Sequence, residues 1–450
     1  MLALDTSSGY TSSTDSSINC LPSELLTEIF WSSIRGDCTF GRIRKAVSRT
    51  LTLCSVCSDW RSMILSNPLF WSCIPVGNRA HSYHLTRLCL ERSKDSPIDI
   101  VIRFRGRSCD AMWSGQQDLI MHCSRIRSIY VSATSSEDIF SLLGRILENQ
   151  IPRPLTSLSI NIRSSSDIIS DDDRYSNETA WHKFMQKNIP ELCDQLHTLH
   201  LDGVSISDFR GWEGSKFGEL TELVLSSEHS YYEGMSYIMA VADNLRLLEF
   251  HGPVEWVADS TTLKPVLRPD QGVKVLRLHK LPFGTLRQGI TWIVPQAGIW
   301  ETEMSIETRL SQPLWVLRNS STVTALSLDN SEGPIHTGYY MRRILKALPN
   351  LRSLTLERFE LGESTLSGLT RPHDAADSEF PRFTVLRLHL SRVLDYDAFK
   401  AMIASHPIRR IEIRSCALGW SRRDTNKPDT TSPLYLWLCG RVPEIYVSGP

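Results

Sequence analysis

No uninterrupted apolar run of about eighteen residues occurs in the chain, so the sequence predicts nothing that spans a bilayer. The N-terminus lacks a basic stretch followed by an apolar core and is rich in Ser and Thr instead, which argues against secretion. Charge of one sign is not in excess. A net charge of −1 leaves no global attraction to nucleic acid or to an anionic membrane. There is no G-x-x-x-x-G-K-S/T phosphate loop and no G-x-S-x-G nucleophile elbow. The H-x-x-H pairs His81/His84 and His197/His200 lack the helical carboxylate of a zinc protease. On a strand, His197 and His200 would point to opposite faces. The sequence therefore predicts no enzyme, no metal site and no cofactor. Its 11 cysteines are scattered and odd in number, which fits free thiols in the cytoplasm or nucleus. Cys54 and Cys57 form a C-x-x-C without a suitably spaced second pair, and read as a structural pair.

What is present begins at Cys20–Ile74. Leu21-Pro22-Ser23-Glu24-Leu25-Leu26-Thr27-Glu28-Ile29-Phe30 reads as a helix with Pro22 in its first turn. Leu25, Leu26, Ile29 and Phe30 then share one face. A second helix is expected to carry Leu53, Val56, Cys57, Trp60 and Ile64 on one side and to stop at Pro68. Leu69-Phe70-Trp71 follows. Helices this short do not bury a self-sufficient core. Their apolar faces must dock on a partner or on the rest of the same chain.

In order and spacing, this segment resembles an F-box: a Leu-Pro-x-Glu-Leu helix, a Val-Cys-x-x-Trp helix and a Pro-x-Leu-Trp-like exit. It departs from the family in a long basic insertion near Arg35–Thr50, a feature similar to F-box proteins of mushroom-type fungi. The resemblance implies a non-catalytic adaptor of an SCF-type cullin ubiquitin ligase. Leu21, Pro22, Leu25, Ile29, Val56, Cys57, Trp60 and Trp71 would bind the Skp-type adaptor. The partners implied are that adaptor, a cullin and an unknown protein client, with no nucleic acid and no membrane. The alternatives are a ubiquitin-independent F-box scaffold and a plain repeat interaction protein.

Downstream, an apolar-x-x-apolar-x-apolar triplet recurs about every 25 residues, a period typical of leucine-rich repeats. Examples are Leu196/Leu199/Leu201, Leu220/Leu223/Leu225, Leu245/Leu248/Phe250, Leu351/Leu354/Leu356 and Ile408/Ile411/Ile413. A degenerate strand is expected at Glu301/Met304/Ile306, and Val442/Ile445/Val447 closes the series. Helical stretches at Thr179–Leu192, Gly234–Ala242, Tyr340–Ala347 and Tyr396–His406 fall where return limbs would lie. Most repeats lack the polar residue that Cys416 supplies at the turn; Phe359 and Val204 stand in that position. The expected fold class is α/β: a helical F-box, then an irregular leucine-rich-repeat solenoid of parallel strands with return helices. Unrelated buried strands in an α/β domain are the alternative.

The expected divisions are a disordered Ser/Thr-rich tail (1–17), the F-box (18–74), a linking helix Tyr83–Arg92 with the strand after Pro97 (75–110), and the repeats (111–450). The linking helix is expected to cap the repeats. Ser164–Glu178, Gly362–Phe380 and Ser421–Thr431 read as polar loops. Strand alternation assigns His200, Glu222, Glu249, Arg277, Glu357, Arg387, Arg410 and Arg414 to a client-binding face that is acidic in the middle and basic toward the C-terminus.

Overall fold

The computed structural model describes Ile18 and residues 21–35, 43–77, 80–103, 118–134, 136–149, 154–162, 192–203, 217–226, 242–251, 275–279, 301–307, 323–330, 338–373, 380–416 and 433–448. The tail 1–17, the loops 164–178 and 421–431, the stretch 234–241 and nearly all of the helix expected at Thr179–Leu192 lie outside them. The protein is mixed α/β with parallel strand pairing, and it separates into two compact units, Met1–Tyr130 and Val131–Pro450. No helix among the described residues is long and apolar enough to cross a membrane.

The first unit opens with α1 (Ser23–Arg35), α2 (Ile43–Cys54) and α3 (Ser58–Ser66), followed by a 3-10 turn at Pro68–Trp71. Pro22 immediately precedes α1, and its carbonyl accepts the Leu26 N–H at 3.0 Å. Leu26, Phe30 and Ile34 fall one turn apart on α1 and are buried. The single helix expected across Leu53–Ile64 is instead two. Cys57 has an extended backbone at the start of α3 (φ −152°), and the Arg61 guanidinium donates to the Cys54 carbonyl across the break at 2.8 Å. Ser55 and Ser58 favour this break, because Ser competes for backbone hydrogen bonds and prefers helix ends. Part of the expected insertion is also helical. In α2, Ala46, Val47, Thr50 and Cys54 form a buried stripe at helical spacing.

Beyond Trp71 come β1 (Cys73–Gly77), α4 (Ala80–Arg92), β2 (Ile98–Arg103) and the start of β3 (Ile126–Ala133). β1 and β2 pair in parallel, and Arg127 on β3 bonds Asp99 on β2 at 2.6 Å. Thr86 Oγ1 donates to the Pro75 carbonyl at 2.6 Å, fixing α4 against β1.

The second unit contains α5 (Ser136–Asn149) and a run of parallel strands placed side by side in chain order. These are β4 (Ser157–Ile162), β5 (Thr198–Asp202), β6 (Glu222–Ser226), β7 (Leu247–His251), β8 (Val275–His279), β9 (Glu301–Glu307), β10 (Val323–Asp329), β11 (Ser353–Glu357), β13 (Val385–His389), β15 (Arg410–Arg414) and β16 (Glu444–Ser448). The degenerate β9 is a full strand of seven residues. Two short strands, β12 (Glu360–Leu361) and β14 (Arg392–Val393), form a separate parallel pair. Registry is regular: Leu199, Leu223, Leu248 and Leu276 are partners across β5–β8, as are Leu354, Leu386, Ile411 and Ile445 across the C-terminal strands. The alternating pattern buries Leu199, Leu201, Leu223 and Leu225 and turns the residues between them to the other face.

Helices α6 (Gly338–Ala347), α7 (Glu363–Leu369), α8 (Tyr396–Ser405) and α9 (Pro433–Arg441) connect the C-terminal strands. α7 corrects the loop expected at Gly362–Phe380, because Leu366 and Leu369 supply a buried face in a stretch whose composition is otherwise polar. α6 and α7 approach closely at Gly338 and Gly368: a Cβ on Gly338 would stand 1.8 Å from the Ser364 carbonyl oxygen.

The turns after β11, β13 and β15 share one device. Arg358, Leu390 and Ser415 adopt positive φ (59°, 51° and 52°), and each donates its N–H to the end of the next strand, at His389, Arg414 and Ser448. One residue later the missing polar ladder is supplied from the neighbour. The Phe359 N–H donates to Ser391 Oγ at 3.1 Å, and the Ser391 N–H to Cys416 Sγ at 3.4 Å. Ser391 occupies the same place in its turn as Cys416, so it meets the need that Phe359 leaves unmet.

Candidate functional site

Two surfaces, one in each unit, carry the side chains singled out by sequence. In the first unit, Leu21 (38% exposed), Leu25 (47%), Ile29 (46%) and Val56 (56%) all present apolar surface to solvent. On α1 the outward Leu25 and Ile29 alternate with the buried Leu26 and Phe30, so the helix has two apolar faces and its own unit covers only one. Pro22 is exposed, and Cys57 and Trp60 are half-buried. Trp60 packs its ring 4.3 Å from that of Phe30. Val56 owes its exposure to the break between α2 and α3, which sets it on a turn and off the buried stripe.

Trp71 is corrected. It is 2% exposed, its indole N–H donates to the Ile64 carbonyl at 2.9 Å, and the Arg92 guanidinium lies 5.0 Å from its ring. It is a core residue and has no surface to offer. In the same unit, α1 and α3 enclose an open cleft of about 760 Å³ that includes Glu24, Glu28, Asp59 and Met63. Sequence reading missed this cleft because its residues come from two helices. Burial pushes the Cys54 thiol up, as it does Cys89, which reaches about 12.

In the second unit, strand register places His200 beside Val224, Glu249 and Arg277 in one row, with Glu222 one row away beside Thr198. Glu249 accepts from Arg277 Nη1 at 3.1 Å and faces His251 Nε2 at 2.5 Å, while Thr198 Oγ1 donates to Glu222 at 3.2 Å. Burial lowers the His200 pKa against the raising influence of Glu222 and Glu249, disfavouring the charged ring. Asn161 and Asp202 are bonded across β4 and β5.

Toward the C-terminus the arginines converge. Glu412, 4% exposed, accepts from Arg387 Nε (3.1 Å), Arg410 Nε (2.9 Å) and Arg414 Nη2 (3.1 Å). Burial raises the Glu412 carboxyl, but the Arg387 hydrogen bond and the charges of Arg387, Arg410 and Arg414 outweigh it and hold the group below its ordinary value. Glu357 pairs with Arg358 at 3.1 Å, and Arg358 also reaches the buried Asp329 at 2.6 Å. At the end expected to be basic, Arg387, Arg410 and Arg414 all face one carboxylate. Asp329 and Arg358 are the residues that sequence reading left out of the site. Strand alternation puts Glu412 on this face between Arg410 and Arg414, and registry brings Arg387 of β13 opposite it.

Among the described residues, no group of three or more His, Cys, Asp and Glu side chains is arranged to hold a metal ion. No protein-family model matches the chain, and no curated protein matches it.

Proposed function

We propose that the chain is the substrate-recognition subunit of an SCF-type cullin ubiquitin ligase. In this reading residues 18–74 are an F-box and the parallel strands of the second unit are an irregular leucine-rich-repeat solenoid. The carrying observation is that Leu21, Leu25, Ile29 and Val56, large apolar side chains, are exposed on a helical unit that buries Leu26, Phe30 and Trp71. Exposed apolar surface of this kind awaits a protein partner. These four are among the residues that the Leu-Pro-x-Glu-Leu and Val-Cys-x-x-Trp motifs assign to the Skp-type adaptor, together with the exposed Pro22 and the half-buried Cys57 and Trp60. The chain supplies no chemistry: the polar strand face holds a protein client, and proximity to the ubiquitin donor does the rest. The reading implies residence in the cytoplasm or nucleus.

The test is a pulldown of the full chain with a Skp-type adaptor and a cullin. Leu25→Lys/Ile29→Lys should abolish capture while leaving the far-UV circular dichroism unchanged, because both side chains are solvent-facing. Adaptor retained without cullin would instead indicate a ubiquitin-independent scaffold. Failure of the folded wild-type chain to bind the adaptor would overturn the proposal.

A further inference from the structure

Among the described residues β16 is bonded on one side only, by β15. The Glu444 N–H donates to the Arg409 carbonyl at 3.0 Å, and the Ser448 carbonyl accepts from the Ser415 N–H at 3.0 Å. Residues 444 and 448 thus turn their backbone groups toward β15. By strand alternation, Ile445 and Val447 turn both their N–H and C=O to the outer edge.

The side chains at this edge are also incompletely covered. Ile445 and Val447 are half-exposed, whereas their register partners Ile411 and Ile413 on β15 are 0% and 1% exposed. Tyr446 is 52% exposed and Leu436 on α9 is 60% exposed. Natural edge strands are normally protected by lysine, proline, a bulge or a covering element. Along β16 the single charge is Glu444.

We propose that β16 pairs antiparallel with β16 of a second copy of this chain, about a two-fold axis passing beside Tyr446. The strand is complementary to itself in that register. Ile445 meets Val447 of the other copy as a hydrogen-bonded pair, and symmetry repeats the pair, so every outward N–H and C=O of these two residues is satisfied. Their side chains share one face, so the apolar row Ile411–Ile445 continues across the seam. Glu444 meets Ser448, which leaves no like charges opposed. The two Tyr446 residues form the central non-hydrogen-bonded pair, with Cα atoms about 4.5 Å apart, close enough for their rings to pack. The Arg410 guanidinium, 4.5 Å from the Tyr446 ring, holds each ring from its own sheet. The contact is isologous and closes at two copies.

Sedimentation equilibrium of the full chain over about 1 to 100 µM tests this, that range being where a small interface associates measurably. Val447→Pro removes the outward N–H and leaves the β15 ladder intact. Tyr446→Lys sets two ammonium groups opposite each other on an exposed site, and keeps the test decisive if the proline variant fails to fold. The wild type should form a reversible dimer that each folded variant weakens at least about tenfold. A wild type that stays monomeric throughout, or a dimer that Tyr446→Lys leaves unchanged, would overturn the proposal.

Discussion

Replacing Glu412 by Gln tests whether the arginine network on the polar strand face is structural. The carboxylate is almost wholly buried and accepts from three guanidinium groups, whose own side chains are 33% (Arg387), 41% (Arg410) and 60% (Arg414) exposed. Solvent screens the arginine side of each pair, so each is worth no more than about 1 kcal/mol, with Arg414 least. Gln keeps the shape but replaces one acceptor oxygen by an amide that donates, and this amide then faces a guanidinium that also donates. The expected loss is about 2 kcal/mol, confined to the strands the network joins. Hydrogen exchange read on peptides spanning β13 and β15 measures it locally, without requiring the two units to unfold together. Combining the substitution with Arg387→Gln should cost less than the sum of the two, because the same interaction is removed twice. The effect also has a pH signature. The Glu412 carboxyl is held below its ordinary value, so its contribution is full above the unfolded pKa of a glutamate, about 4.3, and is lost as pH falls through the lower folded value. The Gln variant should lack that portion of the acid sensitivity. A change below about 0.5 kcal/mol would show that the arginines stand equally well without the carboxylate, and the network would lose its structural role.

Two further outcomes follow from buried polar groups. Ser391→Ala should destabilise the turn after β11 by about 1 to 3 kcal/mol, because the Phe359 N–H loses its acceptor in a buried site, and Ser391→Cys should recover part of this; thermal unfolding compares the three chains. His406 is stacked 3.6 Å from Phe383, its Nε2–H donates to the Leu369 carbonyl at 2.9 Å, and its pKa is lowered to about 4, chiefly by burial. The unfolded chain takes up this proton first, so His406 should lower stability between about pH 6.5 and pH 4 by about 3 kcal/mol, and a His406→Phe variant should show a fall smaller by about that amount in denaturant titrations at stepped pH.

The C-terminal strands show what pattern alone conveys. A triplet such as Ile408/Ile411/Ile413 states its strand and its inward face, since a residue between two buried leucines or isoleucines has only the other face to occupy. β9 was legible from Glu301/Met304/Ile306 although its composition is poor for a strand, because the spacing of the series demanded something there. The helix break at Ser55–Cys57 and the buried stripe on α2 were not legible. The stripe depends on Ala46, Val47 and Thr50 finding neighbours in the fold, which nothing in a basic stretch advertises, and the break rests on the weak preference of Ser55 and Ser58 for helix ends, which the apolar spacing of Leu53–Ile64 masks. Trp71 was read as an anchor because tryptophan at the end of such a motif looks like a contact. A single hydrogen bond to Ile64 and a ring beneath Arg92 put it in the core instead.

By itself, the sequence determined the α/β class, the positions of most described strands and the inward parity of their apolar residues; it put Leu25, Leu26, Ile29 and Phe30 on one face of α1, and the structure divides them into an exposed and a buried pair. The class, positions and parity follow from local periodicity, which each segment carries regardless of its surroundings. The tertiary structure alone decided which polar residues meet: that Ser391 completes the turn of Phe359, that Glu412 gathers three arginines, and that β16 keeps its outer edge open among the described residues. The Phe359–Ser391 and Arg387–Glu412 pairings join residues 32 and 25 positions apart through the stacking of neighbouring repeats, which no single segment encodes, whereas Arg410 and Arg414 flank Glu412 on its own strand.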